Sequence, residues 1–113
     1  GFVVSGDAPK RVIVRGVGPG LANDVAGYLA DPQLLVHRLK ADRSGWDLVG
    51  SNDNWDGTAA TAALFESVGM GALDAGSKDA ALVLELEPGV YTAQISGVGD
   101  TTGVALAEIY EAP

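Results

Sequence analysis

The chain has 113 residues, of which 47% are apolar; it has no cysteine, a single histidine and a formal charge of −8. That is enough for one domain, 1–113, built around a single core, while the lack of cysteine excludes disulfides, thiolate nucleophiles and cysteine-ligated zinc. The acidic balance argues against nucleic acid and anionic membrane as partners, and no apolar run approaches the roughly 20 residues that cross a bilayer, so no membrane insertion is expected.

Along the chain the apolar runs are short and separated by Gly, Pro, Asp and Asn, which is the punctuation of strands. "FVV" opens the series and "RVIVRGV" follows. The next stretch, "RGVGPGL", presents Gly16, Gly18 and Gly20 after a strand, as phosphate-binding loops do. It departs from a dinucleotide fingerprint because Leu21 stands where the third glycine belongs, and no lysine completes a P-loop. A tight exit from the strand accounts for these glycines. "LANDVAGYLADP" has room for a turn or two of helix. "QLLVHRL" and "WDLVG" are the next strands, joined by a hairpin loop, "ADRSG", residues 41–45.

"SNDNWDG", residues 51–57, then gathers side-chain oxygens around a tryptophan. Asn52, Asn54, Asp56 and Gly57 occupy the first, third, fifth and sixth positions of a calcium-loop pattern, but Ala63 stands where a bidentate glutamate is required. Asn52, Asp53, Asn54 and Asp56 are therefore a weak calcium candidate, and calcium is the only cofactor entertained. The leading account is a turn, since Asn and Asp bond their own backbone and tolerate left-handed conformations. Trp55 then closes one end of the core with its indole N–H on a carbonyl; exposed, it would instead be a platform for a sugar ring.

"TAATAALFESV" is the one helical segment, predicted near 58–68 with a cap at Asp56 or Thr58 and placed across one end of the fold. In "ALVLEL", Leu82, Leu84 and Leu86 share a face opposite Val83, Glu85 and Glu87, and their burial is expected to contribute about 2 kcal/mol each. In "VYTAQISGV", Tyr91, Ala93 and Ile95 share a face. "EPG" between these strands makes a tight antiparallel corner, and "LEPGVY" matches a tyrosine corner, in which the hydroxyl bonds backbone just upstream. "GVGDTTG" leads like a hairpin into the last strand, "GVALAEIY". Seven strands and one short helix predict an all-β, antiparallel β-sandwich.

No serine sits in a G-x-S-x-G elbow and His37 is the only imidazole, so no nucleophile–base pair assembles and no enzyme activity is expected. Charge is uneven: residues 1–43 hold six basic residues against four acids (+2), and residues 44–113 hold one against eleven (−10). Either strands of both halves interleave and the difference averages out, or the two ends of the molecule differ in sign.

The ordered series "KRVIVRGVGPGL", "LADPQLLVH", "LVGSNDNWDG" and "LELEPGVYTAQISGVGDTTGVALAEIYE" resembles a poorly characterised module of secreted bacterial proteins, similar to the pre-peptidase C-terminal type. The resemblance covers nearly the whole chain. It implies a jelly-roll or immunoglobulin-like sandwich, an extracellular or cell-surface location and no catalysis. The hairpin "HRLKADRSGWD" is more basic than such modules lead one to expect and is a candidate interaction surface. The expected function is a non-catalytic structural or adhesive module, a subunit of a surface fibre or tandem array. The alternative is a calcium- or carbohydrate-binding accessory module of a secreted hydrolase. Self-association through edge strands, with "GFVVSG" either completing its own sheet or donated to a neighbour, and cell-surface polysaccharide are the candidate partners.

Overall fold

A computed structural model describes every residue, Gly1–Pro113, and shows an antiparallel β-sandwich. The strands are β1 (Phe2–Val4), β2 (Lys10–Val17), β3 (Pro32–Leu39), β4 (Trp46–Asn52), β5 (Ala80–Leu86), β6 (Gly89–Gly97) and β7 (Leu106–Ala112), with one helix, α1 (Ala59–Ser67). They form a four-stranded sheet of order β1-β6-β3-β4 and a three-stranded sheet of order β5-β2-β7. All seven apolar runs are strands, and the helix lies where its spacing predicts it. The "LANDVAGYLADP" region, residues 21–32, holds no α-helix; a 3-10 turn, Pro19–Leu21, ends on its first residue.

Between the sheets, period-two alternation sets the core: Val12 and Val14 from β2, Leu34 and Val36 from β3, Leu86 from β5 and Tyr91 from β6 are buried together. Leu86 is fully buried, whereas Leu82 and Leu84 are half-buried, so those two contribute less than the expected 2 kcal/mol or so each. They lie under Gly50 of β4, where an added Cβ would stand 3.2 Å from both leucines. This contact closes one side of the sandwich.

Two connections differ from expectation. β5 pairs with β2 and β6 with β1 and β3, so "EPG" is a corner that carries the chain from one sheet to the other. Tyr91 fixes it by donating its hydroxyl to the Glu87 carbonyl at 2.5 Å. Likewise "GVGDTTG" does not close a hairpin, because β6 and β7 lie in opposite sheets and the crossing chain pairs Val104 with Tyr28. The hairpin 41–45 does form, with Lys40 N–H on Gly45 O and Arg43 in the left-handed region at φ 61°.

The larger correction concerns α1. It does not sit across an end; it packs on the outer face of the three-stranded sheet. There Ile13 and Val17 of β2, facing away from the inter-sheet core, are buried with Trp55, Phe65, Met70 and Leu73. β2 is thus covered on both faces, which is why "VIVRGV" is buried without alternation. The molecule has three layers, and the outer face of the four-stranded sheet is the one left bare.

Candidate functional site

The loop 51–57 uses its polar atoms on itself and its neighbours. Asn52 donates to Asn54 O at 3.0 Å and accepts from Ala81 N–H at 3.1 Å. Asp53 accepts from Asn54 Nδ2 at 2.6 Å. The Asp56 carboxylate accepts from Thr58 N–H, Thr58 Oγ1 and Thr61 Oγ1, at 2.9, 2.9 and 2.8 Å. These bonds, the Thr58 N–H first, hold the Asp56 carboxyl below its ordinary value, and Thr58 Oγ1 in turn caps α1 through Thr61 N–H. Asp56 and Thr58 cap the helix in series. No three His, Asp or Glu side chains come together at this loop; Asn52 Oδ1, Asp53 Oδ1 and both Asp56 oxygens accept from protein donors, the bonding expected of a turn.

Trp55 is 5% exposed and donates its indole N–H to Asp74 O at 2.9 Å, while its ring meets Phe65 at 5.4 Å. It closes the core of the helical layer; the exposed sugar platform is not its role. The glycine loop carries a further surprise. Gly18 and Gly20 N–H groups do hold an anion, but it is the buried carboxylate of Asp79, at 2.8 and 3.1 Å. Ser77 Oγ donates to the other oxygen at 2.8 Å. Gly18 is required there, since a Cβ would stand 2.0 Å from Leu29 O. Arg15, buried in the same layer, binds Glu108 of β7 at 2.7 Å and Gly71 O at 2.6 Å and lies 4.8 Å over the Phe65 ring. All three polar clusters hold the helical layer or its entry loops in place.

The uncommitted surface lies on the other side. Val3 pairs Val90, Arg38 pairs Tyr91, and Leu39 pairs Trp46, so Val3, Val90, Leu39 and Trp46 fall in one row across the outer face of the four-stranded sheet. Val3 is 67% exposed and Trp46 47%. Leu48, 57% exposed, follows on the same face, opposite His37. Val49 is the extra residue of a β-bulge and is exposed as well. β4 is also the free edge of its sheet. Its length, its three large exposed apolar side chains and its lack of proline favour strand pairing at this edge, while the exposed Asp47 and the Val49 bulge oppose it.

Beside the row, the hairpin end forms a cleft of about 350 Å³ lined by Arg38, Leu39, Lys40, Arg43, Asp47 and Pro88 among others. Arg38 donates to Pro88 O at 2.9 Å, Lys40 stands 3.7 Å from Asp47, and the Asp42 carboxyl is held down by the Ser44 hydroxyl and N–H. Of the three other basic residues of the first third, Lys10 lies 4.0 Å from Glu111 and Arg15 is paired with Glu108, while Arg11 reaches only the Pro113 carbonyl. The charge asymmetry therefore averages out over the three-stranded sheet and persists at the hairpin.

Trp46 is the residue that sequence reasoning passed over. The signal was present in the period-two pattern, since Trp46 and Leu48 share a face of "WDLVG". What was missing was the knowledge that no layer covers that face. β1, for its part, completes its own sheet: Phe2 stacks on Tyr91 at 5.4 Å and Val4 is buried. The chain matches no family model, no curated protein and no solved structure.

Proposed function

We propose that the chain is a non-catalytic structural or adhesive module of the extracellular surface, which works by associating with neighbouring copies. The observation that carries this reading is β4: a free edge strand of seven residues with Trp46, Leu48 and Val49 exposed, bordering an uncovered sheet face. The polar groups buried in the molecule serve its loops, and the resemblance to secreted sandwich modules supplies the expectation of an extracellular place. Sedimentation velocity tests it. The weight-average mass is expected to rise reversibly with concentration, and Leu48→Lys to abolish the rise without lowering the melting temperature. A monomer at all concentrations would end the reading.

A second reading keeps the accessory-module alternative but moves its centre from Trp55 to Trp46. Trp46 stands on an outer sheet face with His37, Thr92 and Gln94 in the neighbouring rows, a combination of aromatic and hydrogen-bonding groups that suits a polysaccharide chain. A shift in tryptophan fluorescence on titration with acidic or neutral polysaccharide, lost in Trp46→Ala, supports it.

A further inference from the structure

We propose that the free edge of β7 accepts the β4 edge of a second copy, antiparallel, so that copies join head to tail through sheets continuous across the contact. This rests on the self-association read above and names the two surfaces involved.

The first ground is an open strand position. Four strands face three, and β1 lies across from the free edge of β7 with a groove of about 300 Å³ between them, lined by Phe2, Val3, Val4, Val12 and Ile109 among others. Ile109 pairs with Val14 and so faces inward, yet it is 40% exposed, because no strand lies beyond β7 to shelter it. On the outer face Leu106 and Tyr110 are exposed in the same way. A strand added to β7 would bury all three side chains and pair the free backbone groups.

The second ground identifies the strand. It must be about as long as β7, free along one edge and apolar on alternate positions. β4 has seven residues, as β7 has, and Trp46 and Leu48 share a face. Its one acid, Asp47, lies 3.7 Å from Lys40 in an exposed and therefore weak pair, and Arg43 beside it has no partner within the chain. Charge then sets the direction. Antiparallel pairing places the start of β4, and with it the exposed Lys40 and Arg43, beside the end of β7, where the side chain of Glu111 is 67% exposed. β7 pairing with its own copy would leave Lys40 and Arg43 without an acidic partner, and β4 pairing with itself would leave the groove unfilled. Because donor and acceptor are different surfaces, the contact is heterologous, and repetition extends it into a filament, or into a ring where the rotation closes.

The absence of cysteine allows a direct test. Leu48→Cys and Tyr110→Cys are made separately, one with a mass tag, mixed, and treated with a short bismaleimide; Ser67→Cys on the exposed side of α1 is the control for random collision. The expected result is a tagged–untagged product joining position 48 to position 110, and a ladder from the double variant. Glu111→Lys should lower the yield roughly three- to tenfold at low salt, and Lys40→Glu with Arg43→Glu on the other partner should restore it. Products joining 48 only to 48, or 110 only to 110, overturn the proposal. So does a yield no higher than that of the control. If the wild type still sediments as oligomers in that case, self-association stands and only the choice of edges is wrong; if it is monomeric, both fall.

Discussion

The outer faces of the two sheets differ in what lies on them. On the three-stranded sheet, Ile13 and Val17 are covered by Trp55, Phe65, Met70 and Leu73, and the buried polar groups Arg15 and Asp79 anchor that cover. On the four-stranded sheet, Val3, Trp46 and Leu48 occupy comparable positions and nothing covers them. Both faces carry large apolar side chains, so the difference is one of partners. One face found its partner within the chain, in the segment between β4 and β5; the other presents the same chemistry to solvent. The two tryptophans mark the contrast, Trp55 inside and Trp46 outside.

Substitutions should separate the faces sharply. Phe65→Ala removes a side chain that is 1% exposed and packed against Trp55 and Arg15, and it is expected to cost about 3–5 kcal/mol in denaturant unfolding. Arg15→Ala leaves Glu108 without its cation and Gly71 O without its donor, with an expected loss of about 3 kcal/mol. Tyr91→Phe deletes only the hydroxyl that fixes the corner, at about 1 kcal/mol. Trp46→Ala, on the bare face, should change monomer stability by no more than about 0.5 kcal/mol while reducing association. A large stability loss there would mean that the bare face has an internal partner after all.

The smallest effect is electrostatic. The Asp56 carboxyl titrates below its ordinary value of 3.8 because it accepts from Thr58 and Thr61, so its contribution is present above that value and is lost as the pH falls through the lowered one. Asp56→Ala should cost about 1 kcal/mol at neutral pH through the weakened cap, equally with and without calcium, and the difference from wild type should shrink in acid. A calcium-dependent difference would support the loop as a metal site.

Much of the fold was legible because it rests on local pattern. Period-two alternation marked the strands, the offset between Tyr91 and Glu87 marked the corner, and the Asp56–Thr58 caps marked α1. What escaped depends on contacts distant in sequence. Nothing local to "GVGPG" announces that Asp79 supplies its anion, and nothing in "EPG" distinguishes a hairpin from a passage between sheets. The strand run "VIVRGV" is buried on both faces, which was not read from its sequence, and nothing local to it names the segment that covers the second. "SNDNWDG" concentrates chemically expressive residues, and most of their polar atoms bond within and around the loop as a turn's do, whereas "WDLVG" looks like an ordinary strand until its neighbours are known.

Hydrogen exchange measured at low and high protein concentration tests the central claim, that the covered face holds the molecule together and the bare sheet edge joins it to others. Protection is expected to rise with concentration at the amides of β4 and β7, residues 46–52 and 106–112, and to stay unchanged in α1, residues 59–67. Protection that is independent of concentration throughout, or that grows over α1 instead, would contradict it.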